Sequence, residues 1–470
     1  MLGKNFITVE EMSRDKLESM ISGEVLFPEH VQYNERRKVW NGLFDKRPAV
    51  IVNCQNEKDV MTTVRFARSQ KLAVAVRGGT HHIAGYGTCE GGVLIDTSAM
   101  REVKVDLASQ TVKVQSGAQA GDVIRETQKY GLAVPTGDVS KVGIAGLTLG
   151  GGMGYLRRKY GLTCDHLLEA EIVLADGHLI RVNEVENSDL FFAIRGGGGN
   201  FGIATSFTFQ ARPIGPMVYG IHLMYSIVDL TKILQVCRNY LREGHHDVSF
   251  NIAIHTIPPL PHVPDFLIGK KIVSLSGMHA SEDMEYAARE IAPLRSIAEP
   301  LLDLCGPVNY THLHTQLDER IPVGIPAYGK SIYLRSIDDI SISTITNALD
   351  KAGPTSMGMV WILGGRMAEI PAHETAFGQR DAEALVIMES LAVPGISTME
   401  EGKGWVDEFH QKLSCQQPSL ATYLNMAGLE HDPQKVVRAS YGHNYERLSA
   451  VKRQYDPDNI FCFNPNILSD

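Results

Sequence analysis

Val76-Arg77-Gly78-Gly79-Thr80-His81-His82-Ile83-Ala84-Gly85 follows the apolar run Leu72–Val76, LAVAV. Upstream, Ala49–Asn53 (AVIVN) reads as a short buried strand. Asn56 and Asp59 then supply a helix N-cap and an acidic first turn, and Val60, Val64 and Ala67 set a helical stripe. The order is β-α-β, and the glycines stand where the second strand ends. Successive glycines let backbone N–H groups converge on an anion with no Cβ in the way, and a pyrophosphate is the natural guest. A histidine just past such a loop would sit near whatever carries that pyrophosphate. The other reading is a tight strand-ending turn with a solvent-facing histidine pair. A metal is disfavoured, because adjacent side chains diverge and no carboxylate or cysteine lies at ligand spacing.

A second glycine stretch runs from Gly137 to Gly154, GDVSKVGIAGLTLGGGMG, with seven glycines in eighteen residues. It lacks the GxGxxG of a nicotinamide-type nucleotide fold between one strand and one helix. It reads as a second phosphate cradle or as a glycine-rich packing loop. Between the two stretches, GGVLIDTS, REVKVD and QTVKVQSGA predict short strands, and Gly121–Tyr130 predicts a helix stopped by Gly131. Downstream, Asp176-Gly177 predicts a hairpin, Asp189–Ile194 a short helix or strand, and Ile203–Gln210 an alternating strand. Character changes at Arg212-Pro213-Ile214-Gly215-Pro216, with fewer glycines and more prolines beyond. The tail is predicted helical around Val436–Tyr455, and residues 1–45 helical in part.

Composition excludes several classes. The 470 residues are 44% hydrophobic and 21% charged, with 45 basic and 54 acidic side chains, a net charge of −9. Such a chain buries a large core unaided and lacks the basic surface of a nucleic-acid binder. Seven cysteines, spread out and odd in number, suggest neither a disulfide framework nor a zinc site. No signal peptide and no membrane span is read, so the expected location is cytoplasmic, and no membrane or nucleic-acid partner is expected. The oligomeric state is not readable.

Taken together, VRGGTHHIAG (76–85), GGVLIDTSAM (91–100), GDVSKVGIAGLTLGGGMG (137–154), RKYGLTCDHLLEAEIVLADG (158–177), DLFFAIRGGGGNFGIAT (189–205) and YERLSAVKRQYDPDNIF (445–461) resemble the berberine-bridge-enzyme-like flavoprotein oxidases of the vanillyl-alcohol-oxidase superfamily. Within that superfamily the chain resembles the microbial branch with hydroxynicotine and antibiotic-tailoring oxidases. The resemblance implies an α+β fold: a PCMH-type FAD-binding domain in two subdomains (1–212, its PCMH-type part about 45–212), a substrate domain (213–425) whose sheet covers the flavin, and a C-terminal return (426–470) to the first domain. It implies FAD bound covalently through His81, the histidine of the family's RGGxH pattern, to the flavin 8α carbon. Val139 stands where many relatives carry a second linking cysteine, so a single bond is expected. The implied cofactor contacts are Val76, Arg77, Gly78, Gly79, Thr80, His81, His82 and Gly85 in the first loop. Gly117, Gly137, Val139, Gly143, Gly146, Gly150, Gly151, Gly154, Ile203, Asn464 and Asn466 complete the set.

For catalysis the resemblance implies Tyr423, in Tyr423-Leu424-Asn425, as the base, with Lys330 as a nearby cation. An ordinary phenol is only about 0.1% ionised at neutral pH, so it needs such a cation to lower its pKa. Met153 replaces an aromatic that many relatives carry. The expected reaction is dehydrogenation of an alcohol or amine carbon of a small natural-product-like molecule, with hydride transfer to flavin N5 and reoxidation by O2 to hydrogen peroxide. The alternative is a flavoprotein steering an oxidative cyclisation or a rearrangement without net oxidation. Gly324–Ser331 satisfies GxxxxGK[ST] literally, but Pro322 and Pro326 interrupt its approach and a strand follows, so nucleotide hydrolysis is not expected.

Overall fold

The computed structural model describes residues 11–259, 263–316, 318 and 323–469. Residues 1–10 of the expected N-terminal helical region and Pro322 lie outside them. Strands β1 (Glu24–Leu26), β2 (Val50–Asn53), β3 (Val74–Arg77) and β4 (Val93–Asp96) form a sheet in the order β1-β2-β4-β3. β2, β4 and β3 are parallel, and the helix Glu57–Ser69 makes the crossover from β2 to β3. Asn56 caps that helix by accepting from the Asp59 amide at 3.1 Å, and Val60, Thr63, Val64 and Ala67 form its buried face. Parallel strands covered on both faces read as continuous apolar runs, and β2 and β4 are buried at every residue. β3 departs from this. Val76 was expected in a buried strand, but it is 37% exposed because its side chain lines the central cavity.

Next come β5 (Val103–Asp106), β6 (Thr111–Gln115), β7 (Leu132–Ala133), β8 (Leu167–Val173), β9 (Leu179–Asn183), β10 (Ile203–Gln210) and β11 (Arg212–Pro213). Five of them form an antiparallel sheet in the order β5-β6-β10-β8-β9, and β7 pairs with β11. The hairpin at Asp176-Gly177 joins β8 and β9, with Gly177 at φ +78. Asp189–Ile194 resolves as part of the helix Ser188–Ile194.

The third layer is an eight-stranded antiparallel sheet: β12 (Met217–Ser226), β13 (Val248–Thr256), β14 (Lys271–His279), β15 (Leu302–Asp303), β16 (Gly306–Asn309), β17 (Ala327–Leu334), β18 (Ser356–Ile362) and β19 (Ala384–Leu391). Its order is β15-β12-β14-β13-β18-β19-β17, with β16 beside β12. Four helices cover one face: Leu230–Arg242, Met284–Arg295, Asp339–Asp350 and Met399–Ser414. Strand parity sorts the side chains. Ile221 and Leu223, Phe250 and Ile252, Val360 and Val386 join the helix-facing core. His222 and Met224, Asn251 and Ala253, Met359 and Glu389 turn the other way and line the cavity.

The tail forms helices Pro433–Tyr441 and Tyr445–Tyr455. Val437, Tyr441, Leu448 and Val451 pack with Leu190, Phe191 and Phe207, so the end of the chain closes the core around the second sheet. Among the described residues, no helix is long and apolar enough to cross a membrane.

Candidate active site

The cavity lies between the glycine loops and the cavity-facing side of the eight-stranded sheet, with a volume of about 920 Å3. Its first wall is backbone. The loop after β3 leaves the carboxyl end of a parallel strand, the usual ligand position in such sheets. The amides of Gly78, Gly79, Thr80, His81 and His82 donate to no acceptor among the described residues. The second glycine stretch abuts the first. A Cβ on Gly79 would lie 2.2 Å from the Gly143 nitrogen, and one on Gly143 would lie 2.4 Å from the Gly79 nitrogen. Only two glycines approach this closely, and their contact brings both sets of amides to one place. Buried polar atoms without a protein partner border the same space: Trp40 Nε1, Ser116 Oγ and Asn464 Oδ1. No lysine or arginine side chain lines the cavity among the described residues, so anion binding there falls to backbone N–H groups. An elongated pyrophosphate-bearing cofactor fits this donor set. Among the described residues no cluster of His, Cys, Asp and Glu could hold a metal.

The two histidines differ. His82 Nδ1 accepts from the Ala84 amide at 3.1 Å, so its proton sits on Nε2, which meets the Leu424 carbonyl at 2.9 Å. Burial pushes its pKa down to about 4, and both nitrogens are committed. His81 has no such pair of bonds. Its ring lines the cavity beside Trp40, centroids 6.3 Å apart and 22° from parallel. Burial, and secondarily Lys141, lowers its pKa, leaving a neutral imidazole with a lone pair.

The other predicted residues divide. Val76, Gly78, Gly79, Thr80, Gly137, Val139, Gly143, Gly146, Gly150, Ile203, Asn464 and Tyr423 line the cavity with His81 and His82. Arg77, Gly85, Gly117, Gly151, Gly154, Asn466 and Lys330 do not. Arg77 bonds the carbonyls of Arg36 and Lys38 and lies 3.8 Å from Asp96, which anchors the segment carrying Trp40. Gly117 and Gly154 are packing glycines, where a Cβ would lie 1.8 Å from the Thr97 and Thr136 carbonyl oxygens. A Cβ on Gly85 would strike the Phe44 ring, and one on Gly151 would strike Phe377. Asn466 contributes its backbone carbonyl to Gln434.

The expected pairing of Tyr423 with a cation is corrected by the structure. Lys330 shares strand parity with Tyr328, Ile332 and Leu334, which face the helices, so it points away from the cavity. Its ammonium lies 3.1 Å from Asp407 and 3.2 Å from Glu430. The Tyr423 oxygen accepts from the Gly152 amide and from Asn425 Nδ2, both at 3.0 Å. Burial pushes its pKa up to about 12 despite those two donors. Both bonds are donated to the oxygen and burial raises the pKa, so the phenol keeps its proton at neutral pH. Asn425 in turn explains Gly150, where a Cβ would lie 2.1 Å from Asn425 Oδ1.

Glu389 was missed. It stands on β19 opposite Gly329 and Met357 and lines the cavity, and burial alone raises its pKa to about 7. A carboxylate inside the otherwise apolar strand ALVIMESL was its signal. Asp138 was also missed. Burial raises it to about 6, against the pull of Arg157, and its Oδ2 accepts from Asn251 at 2.5 Å.

A glycine-built anion cradle opposite a side-chain wall suits a pyrophosphate-bearing cofactor, and the relatives of the chain identify that cofactor as FAD. Residues 48–183 match the model of the FAD binding domain, and residues 422–468 match the berberine and berberine-like model. An FAD-linked oxidoreductase of Dictyostelium discoideum is 30% identical over 92% of this chain and 91% of its own. (R)-6-hydroxynicotine oxidase of Paenarthrobacter nicotinovorans is 29% identical over 95% of this chain and 97% of its own. The crystal structure of 6-hydroxy-D-nicotine oxidase from Arthrobacter nicotinovorans superposes with a TM-score of 0.84 at 27% identity, covering 96% of this chain and 98% of that one. A chitooligosaccharide oxidase shares the fold, with a TM-score of 0.86 at 20% identity, covering 98% of this chain and 100% of that one. The chain belongs to the berberine-bridge-enzyme-like family of FAD-linked oxidoreductases, with a PCMH-type FAD-binding fold.

Proposed function

We propose that the protein is an FAD-linked oxidase that dehydrogenates an alcohol or amine carbon of a small organic substrate and passes the electrons to O2. In this reading residues 1–212 and 426–470 hold FAD, residues 213–425 hold substrate, and His81 is the single covalent tether. The observation that carries it is the asymmetry of the histidine pair, one imidazole locked by two hydrogen bonds and its neighbour presented to the cavity at the end of the amide cradle. When bound, the flavin accepts two electrons as hydride and returns them to the acceptor.

The chain's own groups supply the rest. The free amides of Gly78–His82 hold the pyrophosphate. Glu389, near neutrality in its pKa, takes the O–H or N–H proton, since a base works best with a pKa near the operating pH. Tyr423 donates a hydrogen bond instead of acting as the base.

The tether is tested by acid precipitation of purified protein. The pellet stays yellow for the native chain and for His82→Ala, and turns colourless for His81→Ala. Retention of colour in His81→Ala would refute the assignment. Peroxide release during aerobic turnover separates net oxidation from a rearrangement.

A further inference from the structure

Strand register arranges the cavity-facing wall from one side to the other. Met224 pairs with Ser274, Ser274 with Ala253, Ala253 with Met359, and one row away Met357 pairs with Glu389. Four strand-to-strand steps separate Met224 on β12 from Glu389 on β19, about 19 Å across. The two sides differ in chemistry. The Glu389 side carries the one carboxylate of this wall among the described residues. At the Met224 side, Ile257 and Leu267, from the connection between β13 and β14, meet Leu302 of the edge strand β15 in a single apolar cluster. Leu304 continues this lining outward and is 62% exposed, although it is large and apolar. Two of the polar pairs between the two sides are already bonded, while Trp361 Nε1 has no hydrogen-bond partner among the described residues. His255 bonds Ser274 at 3.3 Å, and Asn251 bonds Asp138 at 2.5 Å. Acid groups line the cavity at Asp138, which Arg157 behind it partly offsets, and at Glu389, and no lysine or arginine lines the cavity among the described residues.

We infer that the substrate is an amine or alcohol with a long apolar tail, its polar head toward Glu389 and its tail in the annex formed by Met224, Ile257, Leu267, Leu302 and Leu304. This rests on the function proposed above and narrows its substrate class. A sugar ring in the annex would lose water from its hydroxyls against five apolar side chains. A carboxylate head would face the Glu389 carboxylate with no lysine or arginine lining the cavity beside it among the described residues. An alkyl tail gains with each methylene withdrawn from water.

The test is anaerobic titration calorimetry of the yellow holoenzyme with n-alkylamines, 1-alkanols and alkanoates of four to ten carbons, and with cellobiose and cellotriose. Kd for amines and alkanols falls about fourfold per added methylene until the annex is filled. Leu304→Glu, at an exposed position that tolerates the change, and Leu302→Glu flatten that dependence. A Kd independent of chain length, tighter binding of alkanoates at equal length, or tighter binding of the oligosaccharides overturns the inference. A colourless purified protein fails the flavin reading instead, whereas a yellow protein with a flat series fails only this inference.

Discussion

The loop Gly78–His82 and the strand Ala384–Leu391 face the same cavity and present different material to it. The loop offers five backbone amides without a protein partner among the described residues. The strand offers side chains of alternate residues, Glu389 and Leu391, while Val386 and Met388 serve the core behind them. A backbone site is damaged by added bulk and is indifferent to charge elsewhere. A side-chain site is damaged by changed chemistry and tolerates changed size better.

Substitutions can break this contrast, and the largest effect belongs to the backbone side. Gly143→Ala puts a Cβ 2.4 Å from the Gly79 nitrogen, a distance real side chains do not adopt. The two loops must separate, so the purified variant carries little or no flavin, read as the ratio of visible to protein absorbance. Normal loading would show that the cradle is not where the cofactor binds.

On the side-chain side, Glu389→Gln keeps size and removes the base. It lowers kcat/KM by about 100- to 10,000-fold while leaving flavin loading intact. The pH profile sharpens the point. Glu389 acts as base only when ionised, and its pKa is raised to about 7. For the native enzyme kcat/KM therefore rises as pH increases through about 7 and levels above it. A rate that falls across this interval, or an unchanged step in the Gln variant, would exclude Glu389.

The smallest effect on turnover is expected at Lys330, which serves neither wall. Lys330→Met leaves Asp407 and Glu430 without their shared cation. It costs about 3 kcal/mol of stability, the low end for breaking a buried pair because Asp407 retains water contact. Urea denaturation reads the loss, and kcat at low temperature stays within a few-fold of the native value. A collapse of kcat in a folded variant would return Lys330 to the catalytic machinery.

The same contrast explains what could be read from residues alone. The crossover from β2 to β3, the Asn56 cap, the Asp176-Gly177 hairpin and β10 are short-range features, and propensity and spacing specify them. The glycine loops were legible because nothing but close backbone approach needs so many glycines together. Asp138 was not, because a lone acid in a loop carries no sign of its surroundings, and Glu389 showed only as a carboxylate inside an apolar strand, with nothing to say which face of the strand meets the cavity. Lys330 misled for the same reason, since the side of a strand that faces the cavity depends on which neighbour covers the other side.

The sequence by itself determined that a β-α-β unit ends in an amide-rich loop at His81 and that a second glycine stretch accompanies it. Tertiary structure alone decided that Gly79 and Gly143 meet, that His82 is locked while His81 is presented, and that Glu389 faces the cavity while Lys330 faces the helices. The physical reason is range. Backbone conformation is set by residues a few positions apart. Hydrogen-bond partners, strand parity relative to the core and the burial that shifts a pKa come from segments hundreds of residues away, as Leu424 does for His82.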